Sequence, residues 1–300
     1  MTTAMVATPS SALSKNPKVI LITGVSSGFG KIATELLLAR GHTVLAGLRG
    51  GEERLNKIFG AELAKYGSSR LRALDMHMEK PESFNAAIDL VNKEYGGKLD
   101  VLVNNAGYAL FGALEDQTEE QLRYQMEVNY FGPLLLAKRF LPQLKAAQGR
   151  VLNVSSICGL VTFPYYGAYN AAKHALDAHA EAMHYDLKPH GVQVASIEPG
   201  GFQTDFVAAT VYGKSSEDPQ SPNYKRTINF KRNIAEKNSL GGKPIRVGKL
   251  IVKLCEKPKI PLRNLIGIDA QFMFFAKRAF PEGMRVAVED LVFRKAFFSE

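Results

Sequence analysis

Apolar and polar positions switch repeatedly between two regimes along the chain. Lys18–Thr23 (KVILIT) is a continuous, β-rich apolar run, the pattern of a strand buried on both faces of a parallel sheet. Further runs at His42–Leu48, Leu71–Asp75, Leu99–Asn104, Val151–Val154, Val192–Ile197 and Asn264–Ile268 predict six more strands. Between them lie segments of helical period near Ile32–Arg40, Glu52–Lys65, Glu82–Tyr95 and Arg246–Glu256. A long helix is predicted over Glu119–Lys145, interrupted near Gly132-Pro133 and ended by Pro142 and Gly149. Another follows a Gly- and Pro-containing loop, carries Tyr169 and Lys173, and runs to about Leu187, where Lys188-Pro189-His190-Gly191 stops it. This alternation predicts an α/β fold: one doubly wound parallel sheet with helices on both faces, and ligands at the carboxyl ends of the strands.

Two stretches break the pattern. Asp205–Gly242 is polar, charged and rich in Ser and Pro, and reads as a mobile loop or helical lid (residues 205–245) above the site. Gln271–Phe298 interleaves aromatics with Lys and Arg. It reads as a packed C-terminal helical segment (residues 270–300), a pocket wall or a dimer contact in preference to a membrane-surface helix. The first 17 residues lack a basic n-region and an apolar h-region, and read as a disordered tail.

Composition narrows the class. With 300 residues, 46% of them hydrophobic, the chain can bury a full core, and residues 18–300 are expected to form a single domain. No apolar run reaches the ~18–20 residues needed to cross a bilayer. Cys158 and Cys255 are far apart and form no framework, as expected of a reducing, cytoplasmic setting. The net charge of +9 is spread along the chain apart from a cluster at Lys225, Arg226, Lys231 and Arg232. No nucleic-acid motif accompanies it, so an anionic cofactor is the partner expected for that charge. His174, His179 and His184 are five apart, which turns each by ~140° around a helix, so they cannot share a metal.

The chemistry starts at the first strand, which runs into Gly24-Val25-Ser26-Ser27-Gly28-Phe29-Gly30 and then a helix. Strand, glycine-rich turn and helix in that order form a phosphate site: the glycines let backbone approach the pyrophosphate, and the helix N-terminus offers unpaired N–H groups. At the end of the second strand an acidic residue would bind a ribose 2′-hydroxyl and an arginine a 2′-phosphate. The sequence has Leu48 then Arg49, which favours NADP over NAD. Asn104-Asn105-Ala106-Gly107 closes the fourth strand with small and amide residues, as a backbone passing close to a ligand requires.

Tyr169 and Lys173 are four apart and share one helix face. A phenol of pKa about 10 is a poor proton donor near pH 7, where ~4 kcal/mol of lowering would help. One ammonium ~4 Å away, at an effective dielectric of ~20, supplies about that much, so the pair is a plausible acid/base device. Tyr165 and Tyr166 have no lysine at that spacing.

Together these motifs resemble the short-chain dehydrogenases/reductases, in the branch with a TGxxxGxG fingerprint and a YxxxK pair. The match runs from about Lys18 to Thr204: Thr23–Gly30, Asp75, Asn104–Gly107, Asn129, Ser156 thirteen residues before Tyr169, Lys173, and Pro199-Gly200 with Thr204. The resemblance implies a Rossmann-type fold and an NADP-dependent (NAD possible) oxidoreductase that interconverts a carbonyl and an alcohol. It implies a tetrad in which Tyr169 is the acid/base, Ser156 steadies the substrate oxygen, Lys173 holds the nicotinamide ribose and lowers the Tyr169 pKa, and Asn129 supports a water. Ser155 offers a second hydroxyl, so the choice of Ser156 rests on its spacing to Tyr169. The phosphate loop would use Gly24, Ser26, Ser27, Gly28, Phe29 and Gly30. Asp75 and Met76 would lie near the adenine, Asn104, Ala106 and Gly107 along the cofactor, and Pro199, Gly200 and Thr204 near the nicotinamide. IEPGGFQTDF and the aromatic tail look similar to the hydroxysteroid and retinol dehydrogenase side of the family, which implies a bulky apolar ketone or alcohol. A homodimer or homotetramer is the family expectation. A second reading is a non-catalytic NADP(H) sensor or scaffold, against which the intact tetrad argues.

Overall fold

A computed structural model describes residues 13–298; the part of the expected N-terminal tail before Leu13 lies outside the described residues. The first half alternates β1 (Val19–Thr23), α1 (Gly28–Ala39), β2 (Thr43–Leu48), α2 (Gly51–Tyr66), β3 (Leu71–Asp75), α3 (Asn85–Glu94) and β4 (Val101–Asn104). A two-residue strand β5 (Leu110–Phe111) then leads to α4 (Glu119–Met126), α5 (Gly132–Arg139), α6 (Leu141–Ala147), β6 (Arg150–Val154), α7 (Gly167–Leu187) and β7 (Gln193–Pro199). The remainder comprises β8 (Val211–Tyr212), α8 (Tyr224–Ser239), α9 (Ile245–Glu256), β9 (Arg263–Ile266), α10 (Ile268–Ala279) and α11 (Glu282–Phe298).

Seven strands form one parallel sheet in the order β3-β2-β1-β4-β6-β7-β9, a doubly wound α/β fold. The order reverses between β1 and β4, which opens a crevice at the carboxyl ends of those strands. Because strand side chains alternate, the apolar runs divide into two cores. Ile20, Ile22, Val44 and Ala46 pack with Leu37, Phe59, Val247 and Ile251 of α1, α2 and α9. Leu21, Leu45, Leu102 and Val151 pack on the other face with Phe84, Val91, Leu136, Phe140 and Ala180. Truncating the fully buried Phe59 or Phe140 to Ala is expected to cost ~3–5 kcal/mol. A glycine lets α1 and α9 close: a Cβ on Gly248 would stand 2.6 Å from Ile32 Cγ2.

The predicted long helix is broken in two places. A π-helical turn at Glu127–Phe131 joins α4 to α5, and Phe140 with Pro142 at the start of α6 makes the second break. Gly132 sits where predicted, pressed against Met78: a Cβ there would lie 2.7 Å from the Met78 carbonyl oxygen. In the stretch expected to be a lid, β8 pairs with β5 as a second small parallel sheet. Phe230 and Ile234 of α8 enter a third apolar cluster, with Phe111, Phe163, Tyr169, Ala270 and Phe297.

Candidate active site

The β1–α1 turn is shaped by absent side chains. Gly24 has φ +71, and a Cβ on it would lie 2.7 Å from Ala106 Cα; a Cβ on Gly30 would lie 2.4 Å from the Gly24 carbonyl oxygen. Gly28, at φ +54, meets nothing nearer than Thr204 at 3.8 Å, so space remains above it. Ser27 caps α1 without a side-chain hydrogen bond, and the first turn holds no acidic residue. The first amides of α1 therefore face the crevice without a side-chain acceptor, a built anion site. Thr23 locks the neighbouring loop: its Oγ1 accepts from Asn105 N at 3.1 Å and Ala106 N at 3.0 Å, while Asn105 Nδ2 donates to the carbonyls of Thr23 and Gly24.

A cleft of about 1460 Å³ runs from this turn to the third cluster, larger than the ~300–1,000 Å³ that one ligand fills. Arg49 and Arg54 line its far end, beyond β2, with Met76 beside them. Glu79 also lines it, hydrogen-bonded to Tyr124 and 3.6 Å from His77 Nδ1. A dinucleotide with an extra phosphate fits this donor set: amides for the pyrophosphate, guanidiniums for the 2′-phosphate.

Ser156, Tyr169 and Lys173 meet in the middle of the cleft. β6 ends at Val154, so Ser155 and Ser156 leave the sheet at its carboxyl edge, and α7 lays Tyr169 and Lys173 along that edge. The two serines part company. Ser155 Oγ donates to Asp177 Oδ2 at 2.8 Å inside the protein. Ser156 Oγ accepts from Cys158 N at 3.1 Å and hydrogen-bonds the Tyr169 phenol. Lys173 Nζ donates to the Val154 carbonyl at 2.9 Å and lies 5.7 Å from the centre of the Tyr169 ring.

Burial dominates the electrostatics of the pair. Burial pushes the Tyr169 phenol well above its ordinary range, and the Ser156 hydrogen bond opposes this only in part. The ammonium expected to lower it is itself weakened: burial brings Lys173 down to about 8, with Asp177 acting against the fall. Desolvation, which no spacing rule reveals, is the largest influence on both groups in the free protein. Behind Lys173 lies more buried charge. Asp177 is raised by burial, and Glu198, with no exposed surface, is pushed up to about 7 by burial despite Arg263 Nη1 at 2.7 Å.

The remaining sequence-picked residues fall in three groups. Gly24, Ser26, Ser27, Gly28, Phe29, Arg49, Met76, Ala106, Gly107, Pro199, Gly200 and Thr204 all border the cleft. Gly30 works from beneath, through its close approach to Gly24. Asp75, Asn104 and Asn129 do not border it. Asp75 is turned to the β2–α2 loop, where its Oδ1 accepts from Gly50 N at 2.9 Å. Asn104, paired with Asn153 across β4 and β6, points into the core and donates to Asn153 Oδ1. Asn129 sits in the π turn and clasps Tyr108, accepting from its N–H at 3.1 Å and donating to its carbonyl at 2.8 Å. Sequence reasoning passed over Arg54 and Asp177, and quoted Thr23 and Asn105 within motifs without giving either a role. The alternation of β4 was the available signal for Asn105: if Asn104 faces the core, its neighbour faces the crevice.

On the far side of Tyr169 the cleft becomes an aromatic chamber. Phe206 packs 5.7 Å from the Tyr169 ring, Phe111 at 6.0 Å edge-on, and Tyr166 and Phe297 complete the wall.

Comparison with known proteins identifies the family. The short chain dehydrogenase family model matches residues 18–214. A 3-ketodihydrosphingosine reductase of Bacteroides thetaiotaomicron is 33% identical over 271 residues, covering 89% of this chain and 95% of that protein. An NADPH-dependent 3-dehydrocapnine reductase of Ornithobacterium rhinotracheale is 36% identical over 192 residues, covering 62% of this chain and 66% of that protein. Among solved structures, a short-chain dehydrogenase from Streptomyces avermitilis superposes with a TM-score of 0.76 at 31% identity, covering 94% of this chain and 97% of that one.

Proposed function

The chain belongs to the short-chain dehydrogenase family and is a nicotinamide-dependent oxidoreductase acting on CH–OH groups; from that premise we propose that it reduces a bulky, apolar 3-ketone with NADPH. The observation that carries the proposal is the position of Ser156 and Tyr169 between a phosphate-binding turn and an aromatic chamber. NADPH, once bound, supplies the hydride for the carbonyl carbon. The chain's own residues handle the oxygen. Ser156 Oγ donates a hydrogen bond to the substrate oxygen as negative charge develops there. Tyr169 Oη transfers its proton to that oxygen; burial keeps the phenol protonated in the free protein, the form that can donate, but also makes it a weaker acid there. Lys173 Nζ keeps a positive charge beside the phenol and favours the phenolate left behind. Asn129 acts through the Tyr108 backbone that it clasps, fixing the loop beside the cleft.

NADPH preference is supported by Arg49, which in place of a carboxylate follows Leu48 at the end of β2, and by Arg54 near the start of α2. The position of the ketone is supported by the names of the two relatives, which reduce a 3-keto and a 3-dehydro compound. Bulk is supported by the chamber of Phe111, Tyr166, Phe206 and Phe297. The test is NADPH oxidation with 3-ketones of increasing apolar length. The reading expects kcat/KM to rise with length, by up to about tenfold for every two methylenes buried. A preference for small polar ketones would contradict it.

A further inference from the structure

Nine of the seventeen large apolar side chains exposed among the described residues lie between Ile268 and Val292, on α10, α11 and the turn that joins them. They follow helical spacing. Ile268, Phe272 and Phe275 stand at i, i+4 and i+7, and Met284, Val288 and Leu291 repeat that pattern. These six are between 56% and 81% exposed. The opposite faces of the same helices point inward, where Met273 and Phe297 line the cleft. So the two helices that wall the substrate chamber each carry a bare apolar stripe outside.

The cleft's rim shares this character. Val211, Leu240 and Ile268 border the cleft and are themselves exposed. These aliphatic side chains share the mouth of the cleft with exposed charged ones, among them Lys214, Lys237 and Arg246. Beside α11 packs α8, whose sequence holds five Lys or Arg against one Glu. Arg226 and Lys237 of that helix cover the Phe298 and Phe297 rings at 4.5 and 3.8 Å. A basic helix next to apolar stripes complements an anionic lipid surface: aliphatic and aromatic groups enter the acyl boundary while cations stay at the headgroups.

We propose that α10, α11 and the rim of the cleft dock on an anionic membrane surface, through which the apolar ketone reaches Tyr169. A second copy of the chain is the other occupant to weigh. Rigid protein seated on Ile268 and Leu240 would cover the mouth of the cleft, whereas a lipid surface leaves it open to an apolar substrate. The proposal departs from the expectation, drawn from sequence, that the aromatic tail is a packed segment, a pocket wall or a dimer contact in preference to a membrane-surface helix: its inner face packs and its outer face is bare. It rests on the reading of an apolar substrate, but its test does not depend on turnover.

The test uses the full chain and sucrose-loaded vesicles of phosphatidylglycerol and phosphatidylcholine, with phosphatidylcholine alone for comparison. The protein is expected to sediment with the anionic vesicles. Phe272→Asp with Leu291→Asp should weaken that partition at least ~10-fold, since each removes an inserted apolar side chain. Both positions lie outside the cleft, so NADPH oxidation with a short, water-soluble ketone should be unchanged in the double variant. Failure to bind anionic vesicles, or equal binding by the variant, overturns the proposal. So does light scattering that shows the double variant splitting a larger assembly, which would make the stripes an interface between copies. Vesicle binding without turnover of any vesicle-borne ketone would leave the docking surface standing and refute the substrate reading.

Discussion

Two adjacent serines illustrate how far residue types alone carry the argument. Their spacing to Tyr169 separated Ser156 from Ser155, but the physical reason for the difference is Asp177, a carboxylate 22 residues along the chain that takes the Ser155 hydroxyl. Ser156→Ala should therefore lower kcat by ~10²-fold or more with little loss of stability, because it removes a donor to the developing oxyanion. Ser155→Ala should mainly destabilise, by ~1–3 kcal/mol, by leaving a buried carboxylate less satisfied. Rates and melting temperatures of the two variants check this split. Burial at Tyr169 belongs to the same scale. Spacing showed a lysine within reach, but desolvation depends on what packs over α7, and that comes from Phe111 and Phe206 far away in sequence. Lys173, held near 8 by burial, sets a pH dependence. Its ammonium is present below that value and lost above it, so kcat/KM for ketone reduction should fall as pH rises through about 8. Lys173→Arg should move that limb to higher pH while lowering the rate, because a guanidinium keeps its proton but does not match the Val154 carbonyl in the same way.

At the scale of elements, most of the architecture was legible because local pattern and final burial agree. The central strands β1, β2 and β4 are apolar runs, and the β1–α1 glycines are needed where backbone approaches too closely for any side chain. Gly24→Ala or Gly30→Ala should abolish cofactor binding or the fold around the turn, since neither Cβ has room. What sequence did not show was structure decided by partners distant in the chain. The π turn that holds Asn129, the two-residue strands β5 and β8, and the docking of α8 on α11 depend on packing that no local period encodes. The hydrogen bond by which Gly50 N holds Asp75 Oδ1 at the β2–α2 loop is likewise a contact between distant residues that no local period encodes. Beyond β2, Arg49 and Arg54 give a direct prediction. Replacing both with Ala should weaken NADPH binding ~10- to 100-fold for each charged hydrogen bond to the 2′-phosphate that is removed, and leave NADH binding nearly unchanged, as read by fluorescence titration. Equal weakening for both cofactors would contradict the role of the pair.

The whole molecule places a catalytic edge over a charged interior. Glu198 carries the clearest consequence, since burial raises it to about 7 from an ordinary value of 4.5. A carboxyl raised in the folded state stabilises most below its unfolded pKa, and that contribution is lost as pH climbs from about 4.5 through about 7. Glu198→Gln should flatten the fall in melting temperature over that interval, and a fall of unchanged steepness would assign it to other groups. Among the described residues no helix is long and apolar enough to cross a membrane. All of this turns on one claim, that Tyr169 delivers the proton while the glycine turn and the arginines hold the cofactor. The most direct test replaces Tyr169 with Phe and measures two quantities on the same preparation: NADPH affinity and the rate of NADPH oxidation with a bulky 3-ketone. We expect affinity within about twofold of the parent and a rate lower by ~10²–10⁴-fold. A variant that binds NADPH and turns over at near-parental rate would contradict that claim.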